Sequence, residues 1–105
     1  MTKDTQTFNL ISAIIENNAE QVMALLDQGV NPNTPLDGAN ITPLHYAAQH
    51  NSLNCITLLI EAGANLHATT RPDGQSPLEI ALLHRFPQAV QLLMHYENHL
   101  CDAIN

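Results

Sequence analysis

Apolar residues recur along the chain in triplets spaced i, i+3, i+4, the spacing of one helix face, and not in the alternation of a half-buried strand. Leu10, Ala13 and Ile14 are followed by Val22, Leu25 and Leu26; Leu44, Ala47 and Ala48 by Ile56, Leu59 and Ile60; Leu78, Ala81 and Leu82 by Val90, Leu93 and Met94. Each triplet predicts one short helix, so the pattern predicts three helix pairs. The pairs are themselves periodic. Leu10, Leu44 and Leu78 stand at steps of about 34 residues, and the alanine, Val/Ile/Val and second leucine columns keep the same phase. Four columns in register identify an internal repeat whose unit is one αα-hairpin.

The polar residues between the triplets supply starts and stops. Thr42 before Pro43 reads as an N-cap with proline at the first helical position, where its missing N–H costs nothing. Ser76-Pro77-Leu78-Glu79 adds a capping box, with hydroxyl and carboxylate each satisfying a free backbone donor. Asn17 and Asn51 lie between the helices of a pair and Gly29 and Gly63 after the second helix, residue types that tolerate the left-handed conformation of a tight helix end. Arg85 takes the slot of Asn51, where a positive φ is costlier, so distortion of that turn is expected; Pro87 then launches the last helix. Small alanines in the first helices and large Leu, Ile and Val in the second predict a curved stack. Three hairpins are about the minimum at which a middle unit has neighbours on both sides.

Length agrees with one domain covering residues 1–105, with repeats at about 7–36, 37–70 and 71–101: 105 residues at 45% hydrophobic content suit a single core. Charge narrows the partners. Three basic against ten acidic residues give a net charge of -7, which opposes phosphate backbones and anionic membrane surfaces. Only 4% of residues are aromatic, too few for a base-stacking platform. Met1 to Gln6 lacks the basic start and apolar run of a secretory signal, and no apolar stretch approaches a membrane span, so a cytoplasmic protein is expected, although delivery by a dedicated secretion system would leave no mark in composition. Cys55 and Cys101 form no CxxC pair and read as reduced thiols.

Thr42-Pro43-Leu44-His45-Tyr46-Ala47-Ala48, followed by Leu58-Leu59-Ile60-Glu61-Ala62-Gly63-Ala64-Asn65, closely resembles the ankyrin-repeat signature. Ser76 to Ala81 with Leu92-Leu93-Met94 resembles it less tightly, and Leu25 to Asn31 more loosely, so the resemblance covers roughly residues 7 to 101. It implies an all-α solenoid of three stacked helix-turn-helix repeats with short β-hairpin-like loops, and a partner protein held against loop tips and first helices. On that similarity the tips are Asp37-Gly38-Ala39-Asn40-Ile41 and Arg71-Pro72-Asp73-Gly74-Gln75, and the exposed ends of the first helices are Gln49-His50 and Leu83-His84. The signature departs at Phe8-Asn9 and at Glu97-Asn98-His99, both read as caps of a finite array.

Chemistry finds little support. Thr42 and Ser76, the hydroxyls at helix starts, are explained as caps and not as nucleophiles; Asp27, Glu61 and Glu79 take solvent-facing or capping positions. No Gly-rich loop joins a strand to a helix. His95 and His99 have i, i+4 spacing with Cys101 nearby, but a clear fourth ligand is lacking and a helix end expected near Glu97 takes His99 out of line, so neither metal nor cofactor is expected. The resemblance gives His45 a structural hydrogen-bonding role. His50 and His84 recur at one place in consecutive repeats and read as solvated rim histidines.

The reading is therefore a non-enzymatic protein-binding module with a groove built by Ala39, Ile41, Gln49, His50, Asp73, Gln75, Leu83 and His84, in which Ile41 and Leu83 are the apolar anchors. The competing reading takes the acidity as purpose: an inhibitor or immunity-type protein that blocks a basic enzyme or toxin. Self-association through Ile11, Ile15 or Met23 at one end of the stack is a further expectation.

Overall fold

The computed structural model describes residues 3–35, 39–71 and 73–104, with side chains described over 5–35, 39–71 and 73–97. Six helices run in order among these residues: α1 Lys3–Ile15, α2 Ala19–Asp27, α3 Pro43–Gln49, α4 Leu53–Glu61, α5 Pro77–Leu83 and α6 Pro87–Ile104. The first helices pack in one layer, α1 on α3 and α3 on α5, and the second helices in another, α2 on α4 and α4 on α6. One core runs through all three repeats, and the columns found in the sequence supply it: Leu10, Leu44, Ala47, Ala81, Val22, Ile56, Leu59 and Leu93 are all buried.

The turn inside each pair closes in the same way. Asn17, Asn51 and Arg85 have φ of 55°, 55° and 58°. The next residue's amide then reaches back five positions, Asn18 to Ala13 at 2.8 Å, Ser52 to Ala47 at 3.0 Å and Phe86 to Ala81 at 3.1 Å. The Arg85 turn is thus undistorted, and the strain of an arginine in the left-handed region, on the order of 1 kcal/mol, is carried by packing. After the second helix, Gly29 and Gly63 take φ of 97° and 102°. Val30 and Ala64 then bond back to Leu25 and Leu59 at 3.2 and 2.9 Å.

Neighbouring repeats are tied by more than apolar contact. Ser52 Oγ donates to the Ile14 carbonyl at 2.7 Å, and the Cys55 thiol faces Asn17 Oδ1 at 3.8 Å. In the next repeat Ala89 replaces Cys55, and Asn51 Oδ1 is left without a partner. Between the loops, Asn33 Nδ2 donates to the Gly63 carbonyl at 3.0 Å and its Oδ1 accepts from the Asn65 amide at 2.7 Å. These bonds satisfy loop backbone that the helices cannot reach.

Both ends depart from the repeat. Helix α1 has 13 residues against seven in α3 and α5, so Phe8 lies inside a helix where a hairpin tip would otherwise precede it. Helix α6 has 18 residues against nine in α2 and α4 and passes the stop expected near Glu97. The cause is local: Glu97 stands where the other repeats carry Gly29 and Gly63, and a glutamate disfavours the left-handed conformation that ends a helix. His95 and His99 consequently share one helix.

Candidate functional site

The loops between repeats are held by a buried imidazole. His45, with no exposed surface, occupies the third position of α3 and does for Thr42 what Glu79 does for Ser76. The Thr42 amide donates to His45 Nδ1 at 3.0 Å and the Thr42 hydroxyl lies 2.8 Å from the same nitrogen. In α5 the Ser76 amide donates to Glu79 Oε1 at 3.1 Å and the Glu79 amide to Ser76 Oγ at 3.2 Å. Because an amide can only donate, Nδ1 carries no proton and the ring is neutral with its hydrogen on Nε2. That hydrogen is shared between the carbonyls of Ala68 at 3.0 Å and Gln75 at 2.9 Å. Burial holds the His45 pKa below its ordinary value, against the opposing pull of the Gln75 and Ala68 carbonyls.

His45 thereby pins both ends of the loop 68–75. Within the loop, Thr70 donates to the Gln75 carbonyl at 3.0 Å, Gly74 to the Thr70 carbonyl at 2.7 Å, and Gln75 to Thr70 Oγ1 at 3.2 Å. The Arg71 amide bonds to the Ala39 carbonyl at 2.8 Å, and Asn40 Nδ2 to the Thr69 carbonyl at 2.8 Å, which locks this loop to the preceding one. No residue among those described forms a strand, so the hairpins are turns closed by these bonds.

Between this loop and the first helices lies a depression of about 200 Å³, lined by Ile41, Gln49, Thr70, Arg71, Asp73, Gln75, Ile80 and His84. Five residues selected from sequence meet there: Ile41, Gln49, Asp73, Gln75 and His84. Three do not. Ala39 sits at the junction of the two loops, and His50 is exposed outside the depression. Leu83, 64% exposed, lines a second hollow with Gln75, Glu79 and Leu82. Sequence reasoning missed Thr70 and Ile80 and placed Arg71 only in a loop tip; Asp37, Gly38 and Pro72 lie outside the described residues. Chemically the depression has an apolar floor, Ile41 and Ile80, under a rim with both charge signs and several amide donors and acceptors, which suits peptide side chains and backbone.

A match to a family of known repeats decides what this stack is: residues 9–103 fit Ankyrin repeats (3 copies). The chain belongs to the ankyrin repeat family. Its curated relatives include RelA-associated inhibitor of Mus musculus, 40% identical over 70 residues, or 67% of this chain and 8% of that protein. Potassium channel GORK of Arabidopsis thaliana is 33% identical over 89 residues, 85% of this chain and 11% of that protein. Rabankyrin-5 of Homo sapiens is 33% identical over 100 residues, 84% of this chain and 8% of that protein. This chain therefore spans about a tenth of the length of each of these three relatives. Ankyrin repeats are in general protein–protein interaction modules.

Among the described residues no three His, Cys, Asp or Glu side chains gather as a metal ion would need. His95 packs edge-on against Tyr96, with centroids 5.6 Å apart, while the His99 and Cys101 side chains lie outside the described residues. Cys55 is buried, which pushes its thiol pKa up and keeps it protonated. No described helix is long and apolar enough to cross a membrane.

Proposed function

We propose that this ankyrin stack binds another protein through the depression between the loop 68–75 and the first helices, with no catalysis of its own. The observation that carries the reading is the meeting of Ile41, Gln49, Arg71, Asp73, Gln75 and His84 around one apolar-floored hollow. Exposed Leu83 beside it extends the apolar surface along the first-helix column in which Ile15, 45% exposed, and Gln49 also stand. Apolar anchors ringed by polar groups concentrate binding energy. The double substitution Ile41→Asp with Leu83→Asp introduces two desolvated charges at the contact and is expected to weaken partner binding at least about a hundredfold. Helix content and melting temperature should stay close to wild type, since neither side chain belongs to the buried core. Undiminished binding by this variant would remove the groove from the account.

The net charge of -7 favours a second reading, an acidic inhibitor that blocks a basic enzyme or toxin. The similarity to RelA-associated inhibitor points the same way. Association rates that fall steeply between low and moderate salt belong to this reading; rates indifferent to salt belong to groove recognition by apolar contact.

A further inference from the structure

The middle repeat alone closes the start of its first helix with an imidazole: Ile11 stands at the same place in α1 and Glu79 in α5. Glu79 is exposed, whereas His45 and Thr42 are buried, at 0% and 4% exposure. Two groups of Thr42 meet at His45 Nδ1, the amide at 3.0 Å and the hydroxyl at 2.8 Å. A proton on that nitrogen turns an acceptor into a donor. The hydroxyl can rotate and accept instead, but an amide has no second role, and it is left N–H against N–H in a buried place. The Thr42 amide shares one rigid peptide plane with the Ile41 carbonyl, so it turns away only by moving Ile41. Ile41 is half of the apolar floor of the depression. On the other side of the ring nothing changes in kind. Nε2–H is a donor in both protonation states, so the bonds to the Ala68 and Gln75 carbonyls persist.

We propose that the groove is acid-sensitive: a solvent proton bound at His45 Nδ1 turns the Ile41–Thr42 peptide and takes the floor out of its binding shape, while the loop 68–75 stays closed. This rests on the depression being the binding site. A partner held there is released with uptake of one proton, because the coupling between proton and partner is reciprocal. Burial disfavours the charged ring and holds its pKa below the ordinary histidine range, so the floor is intact at neutral pH. The ring's hydrogen-bond partners, Thr42 and the two carbonyls, carry no charge. Among the described residues, the titratable groups on the elements around it are Glu16 after α1, Cys55 and Glu61 on α4, Glu79 on α5, and His67, Arg71 and Asp73 in and before the loop. Tyr46 and His50 follow it on α3, and His84 ends α5. Apart from buried Cys55 and half-buried Tyr46, all of these are exposed, so water screens them from the ring.

The test follows the full chain by NMR as the pH is lowered, at a temperature well below melting. His45 Nδ1 is expected to pass from acceptor to protonated nitrogen, read from its chemical shift. Over the same pH range the protection of the Thr42 amide against hydrogen exchange should fall at least about tenfold, and that of the Thr70 and Gly74 amides by less than about twofold. His45→Gln is the control: glutamine accepts the Thr42 amide as in a capping box and takes up no proton, so Thr42 should stay protected throughout. Every other titratable group remains in that variant, and an acid response that survives in it would overturn the proposal. So would a protonated His45 that leaves Thr42 protected, a His45 that stays unprotonated until the chain unfolds, or joint loss of protection at Thr42, Thr70 and Gly74. The chain is free of partner in this experiment, so its failure is distinct from failure of the groove assignment, which Ile41→Asp with Leu83→Asp decides.

Discussion

Replacing Ile56 with alanine is expected to lower stability by roughly 2–5 kcal/mol, the range for a large buried aliphatic side chain cut to a methyl. Ile56 has no exposed surface and lies in the middle repeat, walled by neighbours on both sides, so the cavity has little freedom to collapse. A domain of this size has a total stability of about 5–15 kcal/mol, and three repeats give it no spare unit. The melting temperature should therefore fall by roughly 10–30 °C, read by circular dichroism. Val90→Ala in the same column is the comparison: half-buried at the open end, it should cost much less. Equal losses at the two positions would contradict a stack in which the middle unit alone is enclosed from both sides.

His45→Ala is expected to be the most damaging polar substitution, at about 3 kcal/mol or more, since it leaves a buried hollow and an unpaired Thr42 amide and removes the Nε2 donor from the Ala68 and Gln75 carbonyls, of which Gln75 keeps its bond from the Thr70 amide. The loop 68–75 loses its anchor at both ends, so groove binding should weaken along with stability. Acidity reproduces part of this effect. The ring is neutral when folded, with burial holding its pKa below the ordinary histidine value of about 6.5, so the unfolded chain binds the proton first. Its contribution is fully present above pH 6.5 and is lost as the pH falls through the depressed value. Wild type should melt progressively lower as pH drops below 6.5, and His45→Ala, already less stable, should lack that component. A wild-type profile parallel to that of the variant would show that His45 is not the buried neutral group described.

The repeat was readable from sequence because its determinants are local. Helical triplets, Thr42-Pro43, the Ser76–Glu79 box and the turn residues Asn17, Asn51, Gly29 and Gly63 each act within a few positions and agree with one another. The ends were harder to read because there the signals are missing: with no glycine at Glu97, α6 continues, and with no Thr-Pro at Phe8-Asn9, α1 begins early. Arg85 shows the opposite limit, a residue whose own preference is overridden by the closing bond of Phe86 to Ala81 and by packing. Of the loop-tip and helix-end positions selected from sequence, Ile41, Gln49, Asp73, Gln75 and His84 line the depression, while Ala39, His50 and Leu83 do not. Ile41 of the floor was selected, but Ile80 and Thr70 were not legible, because Ile80 also serves the core and Thr70 works through hydrogen bonds inside its own loop, roles that a linear pattern does not separate from binding.

Amide hydrogen exchange on the chain alone and in complex with its captured partner tests the central claim most directly, because it maps the contact without altering the protein. The expected result is added protection at residues 39–41, 70–75 and 83–84, with α2, α4 and α6 unchanged. Protection confined to the second helices, with those loops exchanging as in the free chain, would contradict it.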